Sequence, residues 1–179
     1  MKKAKQNILG TITSEEALTI LKQLIKENKI IAKRVEELFL EKFSDVDIEE
    51  VTDHVYSELE GIEVEEVWDR SGSKRDGYID PGEMAWEMFE EALAPFLLKL
   101  KNYQKLTMLN DAKHYCMGIL QGIHLFSQDS KSEYKEWAGD APRENFSIIL
   151  HDWENSCDNE NDLKEMEIFL KENCSNWRV

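Results

Sequence analysis

The sequence predicts an all-α protein, and three observations carry that expectation. Only three prolines and eight glycines occur in 179 residues, which suits long helices and suits neither a β-sandwich nor a disordered chain. Apolar residues recur every three or four positions through most of the chain. No segment alternates convincingly with the two-residue period of a strand. The expected architecture is one domain, 1–179, built as a bundle or short solenoid of about six to eight helices arranged as helical hairpins. Residues 1–12 are expected to be disordered.

The helices follow from local signals. Thr13-Ser-Glu-Glu16 has the form of a capping box, and Leu18, Leu21, Leu24 and Ile25 follow at helical spacing. A break near Asn28 leads into a second helix to about Phe43, with Ile31, Val35, Leu38 and Phe39 expected to face inward. Asp47-Ile-Glu-Glu50 opens a third, whose stripe is Ile48, Val51, Val55 and Leu59, and Gly61 is its natural stop. A short turn of helix, 64–68, precedes a loop. Met84 to Leu106 is periodic again, with Pro95 inside; proline removes a backbone hydrogen bond, so a kink or restart is expected. Leu109 to about Phe126 has an apolar arc wide enough for a central helix, and Gly118 and Gly122, four apart, line one face for close packing. Asp140-Ala-Pro-Arg-Glu144 opens another helix, and 161–172 supplies the last. Phe96, Tyr103 and Ala112 match three positions of a tetratricopeptide unit, but no second copy follows.

Charge is unevenly placed. The formal net charge is −15, yet residues 1–43 carry nine Lys/Arg against six Asp/Glu. Residues 45–69 carry eleven acidic residues and no Lys or Arg. A solvated helix face accounts for such a run most simply. Its sharper meaning is a surface for a basic protein partner, or a mimic of a phosphate backbone, with Asp47, Glu49, Glu50 and Asp53 as the interaction residues. Direct nucleic-acid binding is disfavoured, because affinity there comes from Lys and Arg neutralising phosphates. No apolar run reaches the ~20 residues of a membrane span. The basic start has no apolar stretch after it, so no secretory signal is expected and the protein is expected to be cytoplasmic. Cys116, Cys157 and Cys174 are odd in number without C-x-x-C spacing, which points to reduced, small hydrophobes.

The stretch 69–83, DRSGSKRDGYIDPGE, is the one candidate cation loop. With Gly77 at the glycine of a calcium loop, Asp76, Tyr78, Asp80 and Glu83 fall on ligand positions. The first half fails, because Gly72 and Lys74 occupy ligand positions; Asp69 and Ser71 could compensate only in a loop three residues longer. The candidate metal set is therefore Asp69, Asp76, Asp80 and Glu83, with calcium as the cation. A capping turn explains the same residues more cheaply: Asp80 as N-cap, Pro81 in the first helical turn, Glu83 closing a capping box. Residues 69–80 are then a surface loop, with Trp68, Tyr78 and Trp86 anchoring it to the core.

This region also carries a resemblance. Trp68-Asp-Arg-Ser-Gly72, Gly77-Tyr-Ile-Asp-Pro-Gly-Glu83, Ala85-Trp-Glu87, Ala92-Leu-Ala-Pro-Phe96 and Gly118-Ile-Leu-Gln-Gly122 resemble a group of small prokaryotic proteins of unknown function. Similar helical stretches occur beside SWIM-type zinc fingers. The resemblance implies a helical fold. The zinc-finger ligands are absent, so neither zinc nor nucleic-acid binding carries across.

The remaining constellations are sparse. Glu50, His54 and Glu58 form an i, i+4, i+8 row that a solvated acidic face explains without zinc. His114 and His124 share the stripe of Asn110, Met117 and Gln121, about 15 Å apart at 1.5 Å per residue, too far for one metal. His151 begins a lone H-x-x-E. No phosphate loop, dinucleotide fingerprint, H-E-x-x-H or G-x-S-x-G occurs. The favoured function is a non-catalytic interaction or scaffold module that takes a protein partner or self-associates as a homodimer. A calcium-binding protein is the alternative, and an enzyme with a pocket of carboxylates and His54 or His151 is the third.

Overall fold

The computed structural model describes residues 11–74, 77–175 and 177, without the side chains of 41–43 and 74. The expected disordered lead 1–12 therefore lies, up to residue 10, outside the described residues, as does Asp76. Among the described residues the protein is helical apart from one small hairpin, as its patterning predicts. Its contacts group into two compact units, ending and beginning at Ser44 and Asp45.

The first unit is a helix pair, α1 (Ser14–Glu27) and α2 (Lys29–Phe43). Thr13 starts α1 with the expected capping box: its amide donates to Glu16 Oε2 at 2.8 Å, and Glu16 N donates to Thr13 Oγ1 at 3.3 Å. The Thr13 amide, and the Thr13 hydroxyl donating to the same oxygen at 3.0 Å, hold the Glu16 carboxyl below its ordinary pKa. Asn28 alone joins the helices. Its amide closes α1 onto Leu24 O at 3.0 Å, while its side chain accepts from Ile30 N at 2.9 Å to start α2. No side chain from Ser14 to Leu40 is buried. Ile31, Val35 and Phe39 are half-buried as the stripe predicts, but Leu38 faces solvent instead of inward.

The second unit contains α3 (Ile48–Glu60), α4 (Val64–Arg70), β1 (Gly72–Lys74), β2 (Gly77–Ile79), α5 (Pro81–Lys105), α6 (Leu109–Asp129), α7 (Tyr134–Ala138), α8 (Ala141–Ser156) and α9 (Glu160–Asn173). Helix α6 is central. It packs against α3, α5, α8 and α9, so α3 reaches across the chain past α5. A solenoid confines contacts to successive repeats; within this unit the arrangement is a bundle around α6. Cys116, Ile119, Leu120, Ile123 and Phe126 of α6 are fully buried. None of the described helices is long and apolar enough to cross a membrane.

The closest packing is between α3 and α6. A Cβ placed on Gly118 would lie 2.6 Å from Val51 Cβ and 3.0 Å from Ile48 O. One on Gly122 would lie 2.7 Å from Val55 Cβ and 2.9 Å from Thr52 O. The glycines thus admit α3 to backbone contact, and Thr52 Oγ1 donates to Gly118 O at 3.3 Å. Val51, Val55 and Leu59 are buried there, each worth about 1.5–3 kcal/mol when fully removed from water.

Three local expectations change. Helix α5 runs through Pro95 without restarting. Pro95 and Glu91 are both exposed, so the Glu91 carbonyl that the proline leaves unpaired is open to water. Gly61 ends α3 at φ −75°, in the right-handed region rather than the left-handed one. The short α7 had no sequence signal; Tyr134 pins it, donating from Oη to Ala85 O at 2.6 Å.

Close contact at Gly118 predicts that Gly118→Ala is destabilising by up to about 2 kcal/mol in urea unfolding, the balance of an overpacking cost of about 1–3 kcal/mol against the roughly 1 kcal/mol that alanine returns in helix propensity. Trimming the opposing side chain tests the cause. Combined with Val51→Ala, the cost should fall short of the sum of the two by at least about 0.5 kcal/mol.

Candidate functional site

Packing α3 by one face fixes what its other face shows. Val51, Thr52, Val55 and Leu59 are buried, and this leaves Glu49, Glu50, Asp53, His54 and Glu58 exposed on the same helix. Asp47 is exposed too, but it also caps α3, with Oδ1 accepting from Glu49 N at 2.8 Å and Glu50 N at 3.4 Å. Glu63, Glu65 and Glu66, at the start of α4, are exposed as well. Among the described residues no Lys, Arg or His forms an ion pair with Asp47, Glu49, Glu50 or Asp53. The structure therefore brings all four onto one helix and exposes them.

Trp68, on α4, is 52% exposed, its ring packed edge-on against Trp137 with centroids 4.7 Å apart. Arg70 forks onto Glu91 through two 2.8 Å hydrogen bonds, tying α4 to α5. These bonds raise the arginine's pKa and lower that of Glu91. The stretch expected as a loop is a two-stranded antiparallel hairpin, pairing Gly72 with Ile79, Ser73 with Tyr78 and Lys74 with Gly77. Gly72 at φ 85° and Gly77 at φ 143° take backbone angles that other residues rarely adopt. Tyr78 is 68% exposed and anchors nothing; strands of three residues have no buried face to receive it. Trp86 is half-buried, and its Nε1 donates to Glu90 at 3.0 Å.

Asp80 caps α5, with Oδ1 accepting from Gly82 N at 2.8 Å. The bond goes to Gly82, one residue short of the capping-box partner expected at Glu83. Glu83 itself is exposed. Asp76 lies outside the described residues. Among those described, no three His, Cys, Asp or Glu side chains converge as a metal site would require, so Asp69, Asp80 and Glu83 do not form one by themselves.

Pockets and buried polar groups bear on the enzyme alternative. A groove of about 590 Å³ is lined by Gln104, Trp153, Cys157, Asp158 and Asp162, and another of about 350 Å³ contains His151, Glu154 and Trp177. His54 is on α3 and His151 on α8, both exposed. The groups whose pKa values move furthest are core side chains shifted by burial. Tyr115 is pushed up to about 12, Cys174 to about 12, and Cys116 and Tyr134 upward as well. All three cysteines are free.

Two buried groups escaped the sequence. Lys113 is 3% exposed, bonded to Asp162 at 2.7 Å and to Glu165. Burial pulls its pKa down, but these bonds outweigh it and the value is raised. His124, on a polar stripe by its spacing, is instead buried, edge-on to Trp177 at 5.4 Å, with neither ring nitrogen hydrogen-bonded among the described residues. Trp177 lies near the chain terminus, far from any periodic signal, which is why the covering was invisible. Met117 on that same stripe is buried as well.

The capping role of Asp80 predicts that Asp80→Ala costs about 1 kcal/mol, while Asp80→Asn costs much less. Calcium at matched ionic strength tests the candidate set Asp69, Asp76, Asp80 and Glu83: binding to the native state alone must raise the melting temperature, and an unmoved melting temperature ends the calcium reading.

Burial lowers the His124 pKa below its ordinary value, so the unfolded chain binds more protons once the pH falls below about 6.5. Its contribution to stability is then full above that value and is lost as the solution is acidified. His124→Phe should hold stability at neutral pH, since no buried hydrogen bond is lost, and should flatten the stability profile just below pH ~6.5. Urea midpoints across that window check both.

No family model, curated protein or solved structure matches this chain.

Proposed function

We propose that the protein is a non-catalytic helical interaction module whose α3–α4 face takes a basic segment of a protein partner. The observation that carries this reading is the exposed row Glu49, Glu50 and Asp53, without an ion pair among the described residues, on a helix whose opposite face is locked against α6. The packed helix presents these carboxylates without further backbone ordering, and their combined charge sets up a field that steers a cationic partner. Trp68, exposed on α4 after Glu65 and Glu66, adds an aromatic surface suited to stacking under Arg or Lys. Asp47 supports the face indirectly by capping the helix that presents it.

The test uses partners captured from the native host, compared between the native protein and a Glu49→Lys/Glu50→Lys/Asp53→Lys variant. Asp47 is left intact so that the cap survives. The captured partner should bind the variant about tenfold or more weakly, and its affinity should depend less on salt. Equal affinity and equal salt dependence would remove the reading.

A further inference from the structure

We propose that Cys174 and Trp177, which follow α9, form an acid-released latch: Trp177 seals His124 while the imidazole is neutral, and protonation of the ring lifts the latch off α6 and α8.

Packing alone closes the latch. Trp177 is 7% exposed and stands edge-on to two side chains, His124 of α6 at 5.4 Å and Phe146 of α8 at 5.2 Å. Cys174 is buried as well. The backbone bonds of both residues run back along the chain, from Cys174 N to Leu170 O at 2.9 Å and from Trp177 N to Cys174 O at 3.0 Å. Among the described residues no hydrogen bond ties either of them to α6 or α8.

His124 is the trigger. Its ring is 9% exposed, and Nδ1 and Nε2 are both buried without a hydrogen bond among the described residues. A neutral imidazole leaves one donor and one acceptor dry there, whereas an imidazolium leaves two donors and a charge. Neither Trp177 nor Phe146 offers an acceptor, and one aromatic contact does not replace two hydrogen bonds to water. The charged ring needs water, and water enters past whichever cover opens most easily. The other neighbours of α6 are helices of 13 to 25 residues, while Trp177 lies outside any helix.

No nearby charge cancels the trigger. Burial disfavours the imidazolium, and Asp129 on α6 opposes that effect without overcoming it. Cys174 is kept a thiol by burial. On the helices around α6, Glu58 of α3, Glu90 of α5, Arg143, Glu144 and His151 of α8 and Lys171 of α9 are exposed, and Glu60 and Glu167 are half-buried. Among the described residues no carboxylate forms an ion pair with the ring. Once the latch is open, His124 titrates near its ordinary value of about 6.5. Below that pH the open form takes up a proton that the closed form refuses, so the open-to-closed ratio climbs by up to about tenfold per pH unit. Trp177 also walls the groove of about 350 Å³ that contains His151 and Glu154, so release removes one side of that groove.

The test is thiol trapping on the full chain with N-ethylmaleimide, read residue by residue by mass spectrometry. Cys174 reports the latch. Cys116, fully buried in α6, is trapped only when the core opens. Each rate is divided by that of glutathione at the same pH, which removes the reagent's own pH dependence. From pH ~7.5 to ~5.5 the normalised Cys174 rate should rise about tenfold and stay at least about tenfold above that of Cys116. In His124→Phe the rise should vanish. Trp177→Ala should speed Cys174 trapping at neutral pH by about tenfold or more while Cys116 stays protected. Cys174 trapped no faster than Cys116 would overturn the proposal, because the segment then opens only with the whole unit. A Cys174 rate indifferent to pH would overturn it too, since the indole then holds the imidazolium in place. So would a rise that survives in His124→Phe, or a Cys174 that stays protected in Trp177→Ala.

Discussion

The second unit depends on one contact, the crossing of α3 over α6 at Gly118 and Gly122. Any Cβ at those two positions would lie less than 3 Å from a valine on the facing helix, so the approach exists only because both residues lack one. Everything downstream inherits that geometry. Val51 and Val55 become core side chains instead of surface ones, Thr52 can reach the Gly118 carbonyl, and α6 gains cover from α3 in addition to α5, α8 and α9. Two glycines inside a helix sacrifice intrinsic propensity. The fold recovers that cost through burial along the whole α3 stripe.

Polar groups inside the unit follow from its crowding. Lys113 is the one buried residue with a formal charge among those described, and it has two carboxylate partners from α9. Such a triad adds little net stability over apolar packing. Losing a carboxylate, however, leaves a buried cation under-compensated, so α9 is held in one register on α6. Tyr134 works similarly for α7, where a five-residue helix is located by a single buried hydroxyl. His124 is the exception. It is enclosed by Trp177 without a hydrogen bond among the described residues, and so resists protonation instead of contributing polarity.

What the sequence revealed, and what it did not, divides along physical lines. Local signals were legible: the Thr13 capping box, the Asn28 break, the Asp47 and Asp80 caps, and the α3 stripe all depend on neighbours within four residues. The Gly118–Gly122 pair was legible as a packing surface because four-residue spacing places both on one face. Contacts between distant residues were not. Nothing near Lys113 announces Asp162, and nothing near His124 announces Trp177. Strand pairing from Gly72 to Ile79 was missed because three-residue strands are too short to show a period. Of the candidate residues, Asp47, Glu49, Glu50 and Asp53 stand on one exposed helix as their spacing implies. Asp80 caps α5, and among the described residues it does not form a cluster with both Asp69 and Glu83.

The acidic face itself is not what α3 would choose for its own stability. Carboxylates at its start, Asp47, Glu49 and Glu50, favour the helix by facing the positive end of its dipole. Those at its end do the reverse: Glu58 and Glu60 lie where cations would help, and the last turn has no basic residue. Glu63, Glu65 and Glu66 then add more negative charge at the start of α4. Mutual repulsion along such a row lowers stability, and a single Lys at Glu58 would relieve both penalties at once. Burial of Val51, Val55 and Leu59 is large enough to carry that electrostatic cost, so the helix survives it. Charge that opposes the helix bearing it gives a reason to look outward for its use.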